Sequence, residues 1–108
     1  MKYKYPKKIT IGDTKFKIIY DYNDDSGASF SYPSDGQKAF IRFGMKNHKE
    51  HPEQFLNHLL HELKEIVQVE QSTRMWKRGA DGYEFHYSHS EHTDLCCRLS
   101  SLLRKFIK

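Results

Sequence analysis

Residues His58 to Glu65, reading HLLHELKE, place two histidines and two glutamates within a short stretch of helical periodicity. Imidazole nitrogen and carboxylate oxygen both ligate zinc, and helix residues four apart share a face, so His61 and Glu65 can reach one ion. A carboxylate in place of a second imidazole also suits a harder ion such as manganese. Starting at His61, the stretch departs from the zinc-helix signature H-E-x-x-H only at its closing position, where Glu65 stands. In that spacing Glu62 stands beside the open coordination position, where its carboxylate can take a proton from water. The competing reading is the solvated face of an ordinary helix, with Lys64 pairing to neighbouring glutamates.

At about 100° per residue, with His58 at zero, His61 falls near 300°, Glu62 near 40° and Glu65 near 340°. These groups border an apolar face formed by Phe55, Leu56, Leu59, Leu63 and Ile66, with Leu60 and Val67 just beyond. A polar cluster at such a border belongs at the edge of a half-buried cleft. His58, one turn before Glu62, either modulates that cleft or merely flanks it.

Other elements must position the cluster. KITIGDTKFKIIYD alternates apolar and polar residues around Gly12 and Asp13, which predicts two strands, a tight turn and a buried face of Ile9, Ile11, Phe16, Ile18 and Tyr20. NDDSGASFSYPSDGQ reads as a loop with a short strand at SFSY, and KAFIRFG as a further strand closed by Gly44. A helix with Pro52 in its first turn runs to about Glu70. Gly79 and Gly82 then flank a turn, and Tyr83, Phe85 and Tyr87 alternate with Glu84 and His86 in an extended segment. Ser88 to Glu91 matches a capping box, so a last helix starts near His89 and carries Leu95, Cys96, Leu99, Leu102, Leu103 and Phe106 inward. The order predicts an α+β fold, a small twisted sheet packed against two main helices, as a single domain over residues 1–108.

Composition bounds the function. A chain of 108 residues builds one modest core, and seven Phe, seven Tyr and one Trp supply bulk despite a hydrophobic fraction of 37%. That argues against a second catalytic domain and against global disorder. With no apolar run long enough to span a bilayer, and no apolar segment after the basic start MKYKYPKKIT, the expectation is a cytoplasmic protein with no membrane partner. Cys96 and Cys97 are helix neighbours about 100° apart, which disfavours a mutual disulfide and suggests reduced core residues. His48 and His51 lie in a lysine-rich approach and read as solvated. The net charge of +4 gathers at Lys2, Lys4, Lys7 and Lys8 and at Arg104, Lys105 and Lys108. Such a surplus permits a nucleic-acid or acidic partner, though solvated surface is the simpler reading.

The series KITIGDTKFKIIYD, KAFIRF, NHLLHELKEIV and HTDLCCRLSSLL resembles the small zincin-like metallopeptidase domains of phages and mobile elements, related to minigluzincins and repressor-cleaving peptidases. The resemblance covers nearly the whole chain, and its specific part is LLHELKE. It implies His61 as first metal ligand and Glu62 as catalytic residue, while the family's second histidine falls on Glu65. It also implies a third ligand from the final helix. His92 matches best, being in series with Leu95, Cys96, Leu99 and Leu103, with His89 in reserve and Asp94 as surface or as support for a ligand. His86 and Tyr87 would face the cleft from above.

The resulting expectation is one divalent ion, zinc or manganese, on His61, Glu65 and His92, with metal-activated water attacking a peptide laid along the edge strand KAFIRF. The alternatives are an inactive domain of the same fold that binds a protein partner, and a small basic nucleic-acid-binding protein.

Overall fold

A computed structural model describes residues 2–33, 38–71, 74–76, 83–85 and 88–108. Its elements are β1 (Lys8–Ile11), β2 (Thr14–Asp21), β3 (Ala28–Ser31), β4 (Phe40–Gly44), α1 (Pro52–Glu70), β5 (Arg74–Trp76), β6 (Tyr83–Phe85) and α2 (His89–Leu103). The first four strands form a mixed sheet in the order β1-β2-β4-β3. The central β2–β4 pair is parallel and the two outer pairs are antiparallel. β5 and β6 form a separate antiparallel hairpin. The fold is α+β, a small sheet packed against two helices, as the residue pattern predicts.

Period-two alternation decides which way each strand faces. Ile9 and Ile11 of β1, Phe16 and Ile18 of β2, and Ile41 and Phe43 of β4 are all buried on one face. The hairpin between β1 and β2 turns at Gly12, whose φ of +60° is a left-handed conformation that a β-carbon disfavours. Against the buried face lie Phe55, Leu59, Leu63, Ile66 and Val67 of α1, Leu95 and Leu102 of α2, and Phe106 beyond it, in one continuous core.

The helices start by different devices. α1 has no side-chain cap at His51 and relies on Pro52 at its start, where a missing N–H costs nothing. α2 has the full capping box: the Glu91 amide donates to Ser88 Oγ at 3.2 Å, and the Ser88 amide donates to Glu91 Oε1 at 3.2 Å. The two run antiparallel. At one end Gln71 Nε2 donates to the Glu91 carbonyl and to Asp94 Oδ2, each at 2.9 Å. At the other, Tyr3 bridges to Ile107 and its hydroxyl donates to the Pro52 carbonyl at 3.4 Å.

Four expectations are corrected. KAFIRF is not an edge strand: β4 lies between β2 and β3, and the outer strands are β1 and β3. Tyr20 is half-buried, with its hydroxyl donating to the Pro6 carbonyl at 2.7 Å, and burial pushes its pKa well above the usual tyrosine value. Cys96 and Cys97 are free thiols as expected but are exposed, because α2 turns Leu95 and Leu102 into the core and leaves that flank in solvent. His48 is not simply solvated. Its Nε2 meets the Tyr5 hydroxyl at 2.7 Å and its ring packs edge-on to Phe55 at 5.3 Å.

Candidate metal centre

α1 and β3 build the centre between them. Helical periodicity brings His61, Glu62 and Glu65 to one border of α1, where one ligand atom from each lies within 4.8 Å of the other two. β3 and the following Tyr32 supply the opposite wall, enclosing an open cleft of 710 Å³ floored by the three residues and Val69. Glu62 lines the cleft and is buried at 5% exposure. The His61 side chain is 66% exposed and the Glu65 side chain 22%, which grades the cluster from solvent to interior.

The donor set fits a cation. His61 Nε2 and Glu65 Oε1 are 3.5 Å apart. Two ligands on a tetrahedral ion at about 2.1 Å stand about 3.4 Å from each other, so the i,i+4 pair needs little adjustment to share one. A neutral imidazole offers one unprotonated ring nitrogen and an ionised carboxylate only acceptor oxygens, so each of the three residues can present a lone pair to an ion. The same pair can form a hydrogen-bonded ion pair when His61 is protonated, the reading for an ordinary helix surface.

Tyr32, which belongs to no motif in the sequence, closes the cleft wall formed by β3. Its hydroxyl donates to Glu70 Oε1 at 3.1 Å and meets the Ile66 carbonyl at 3.5 Å, pinning the end of β3 to the last turns of α1. Its ring packs edge-on to Phe16 and Phe30. The alternation in SFSY was the available signal, with Phe30 and Tyr32 sharing a parity. At the other end of the cleft wall, Gly44 lies against the loop before β3. A β-carbon on Gly44 would come within 2.8 Å of the Asp24 carbonyl and 2.9 Å of the Gly27 carbonyl. Arg42 ties the same loop down by pairing with both Asp21 and Asp24.

The structure does not bring α2 to this group. His92 is exposed, with Nε2 3.9 Å from Cys96 Sγ, and does not join the three residues of α1. The antiparallel packing explains why. The first turns of α2 dock at Gln71, ten residues past His61 and so about 15 Å farther along α1. His89 is also exposed, and Asp94 pairs with Arg98 Nε at 2.8 Å while accepting from Gln71. Glu91 serves the helix cap. His58 is half-buried outside the group, its Nε2 3.8 Å from where a β-carbon on Gly27 would stand. His86 and Tyr87 lie outside the described residues.

Among the described residues, no helix is long and apolar enough to cross a membrane. Comparisons with known proteins find no matching family model, no matching curated protein and no matching solved structure. The functional reading therefore rests on the geometry between α1 and β3.

Proposed function

We propose that the chain is a zincin-like, metal-dependent peptidase whose centre is His61, Glu62 and Glu65. The observation that supports this reading is the convergence of the three donor groups to within 4.8 Å at the floor of a cleft walled by an outer strand. His61 and Glu65 hold one divalent ion, zinc or manganese, the two that best accept a mixed nitrogen and oxygen set of this kind. Such an ion supplies Lewis acidity, polarising a carbonyl and acidifying water. Glu62 holds the proton taken from water, since its carboxylate is adjacent to the pair and shielded by β3. A peptide substrate lies along β3 by strand addition, which gives affinity through the backbone with little demand on sequence.

The departure at Glu65 favours a second reading, in which the fold and the metal are retained and the cleft binds a protein partner without cleaving it. Two measurements separate them. Elemental analysis and titration calorimetry with zinc and manganese should give one ion per chain, lost in His61→Ala and Glu65→Ala. Absence of stoichiometric metal after both ions are supplied would sink the centre itself. Cleavage of a peptide library, abolished in Glu62→Gln with metal binding retained, is the expected result for the peptidase. Metal binding with no cleavage by the parent chain would leave the partner-binding domain.

A further inference from the structure

The face of the sheet turned away from the helices is basic. The alternation that buries Ile9, Phe16 and Ile18 turns Lys8, Lys15 and Lys17 outward, and Lys8 stands directly opposite Lys17 across the β1–β2 pair. Lys7 and Lys38 join them around one shallow depression of 240 Å³. Lys17 is in turn opposite Phe40 on β4, a half-buried ring that shares the outward parity. Among the described residues, none of these five lysines forms an ion pair.

Like charges directly opposite on neighbouring strands weaken a sheet. Asp21, at the end of β2, and Asp24, in the loop that follows, are both engaged with Arg42 and not with these lysines. A close cluster of uncompensated cations is complementary to a polyanion, which neutralises several at once and releases its counterions. The lysines lie on the broad face of a four-stranded sheet, whereas a duplex major groove admits a single helix or a two-stranded ribbon. Such a face can carry an extended single strand, with phosphates over the lysines and a base against an aromatic ring. Lysines are point charges without the guanidinium fork, so they favour the phosphate backbone over base edges.

We propose that Lys7, Lys8, Lys15, Lys17 and Lys38 on the outer face of the sheet bind single-stranded nucleic acid without sequence preference. The surface lies on the other side of the sheet from α1, so it is independent of the metal centre.

The test is fluorescence anisotropy of the full chain with a labelled oligo-dT of about 15 nucleotides, titrated between about 50 and 200 mM NaCl. With five phosphates engaged, log affinity should fall against log salt with a slope of about −3.5. The double variant Lys15→Glu/Lys17→Glu should weaken binding by more than about tenfold and bring the slope to about −2. Its melting temperature should hold or rise, because the carboxylate introduced opposite Lys8 replaces a like-charge pair with an opposite-charge one. A loss of binding with the fold intact locates the effect on this surface. The control Lys46→Glu/Lys49→Glu makes the same change in net charge elsewhere and should lose less than about threefold. Equal losses in the two double variants would overturn the proposal in favour of a general charge effect, as would a slope near zero. Equal or tighter binding of a duplex, or binding only to phosphatidylserine vesicles, would overturn the assignment to single strands.

Discussion

The two helices carry similar chemical groups to different ends. α1 has His58, His61, Glu62 and Glu65 along one border of its apolar face, and α2 has His89, Glu91, His92 and Asp94 in its first two turns. On α1 three of the four converge on a cleft, because β3 stands opposite that border. On α2 the glutamate closes the helix cap, the aspartate is held by Arg98 and Gln71, and both histidines are exposed. A polar border becomes a site when a second element faces it. Where none does, the same residue types serve the helix terminus or the solvent.

The contrast in packing gives the largest expected effect. Leu63 of α1 is fully buried while Leu103 of α2 is only partly so. Leu63→Ala should cost about 3 kcal/mol in urea denaturation and Leu103→Ala about 1 kcal/mol. Equal losses would mean that α2 is as deeply embedded as α1. Next in size is linkage to metal. Zinc or manganese at a hundredfold excess over its Kd should raise stability by about 2.7 kcal/mol. The gain should disappear in Glu65→Ala and survive in His92→Ala, and its loss in the latter would bring α2 into the centre.

A smaller effect isolates the structural role of α2. Ser88→Ala removes one half of the capping box and should cost about 1 kcal/mol while leaving metal affinity unchanged. A drop in affinity would show that the start of α2 reaches the cleft after all.

The smallest effect concerns the loop leading into β3, where the Ser26 hydroxyl and amide, with help from Arg42, hold the Asp24 carboxyl below the usual aspartate range. Because the folded-state pKa is lowered, the associated stability is fully present above the ordinary carboxylate value and is lost as pH falls through the lowered one. Ser26→Ala should move the Asp24 midpoint upward in an NMR titration. An unmoved midpoint would leave Arg42 as the sole cause and loosen the link between this loop and the cleft wall.

The helices were legible because their signals are local. Pro52 and the apolar repeat mark α1 through Glu70, and Ser88 with Glu91 marks the start of α2. The hairpin at Gly12 was equally plain, since a turn glycine sits between two alternating runs. β3 gave a weaker signal: four residues, half of them serine, inside a loop rich in Gly, Asp and Pro. Its place as the outer strand beside α1 could not be read at all. Pairing β2 with β4 in parallel skips over β3 in sequence, and that strand order depends on contacts between distant segments.

The sequence by itself determined that His61, Glu62 and Glu65 share one border of a helix, because 3.6-residue periodicity is a local property of the backbone. It likewise determined that Lys8, Lys15 and Lys17 share the face opposite Ile9 and Phe16, through the two-residue period of a strand. The tertiary structure alone decided that β3 walls the cleft, that the first turns of α2 dock at Gln71, about 15 Å along α1 from His61, and that Lys8 confronts Lys17. Those outcomes come from the antiparallel fit of two apolar helix faces on one sheet face and from strand order, which bring together residues that no local spacing connects.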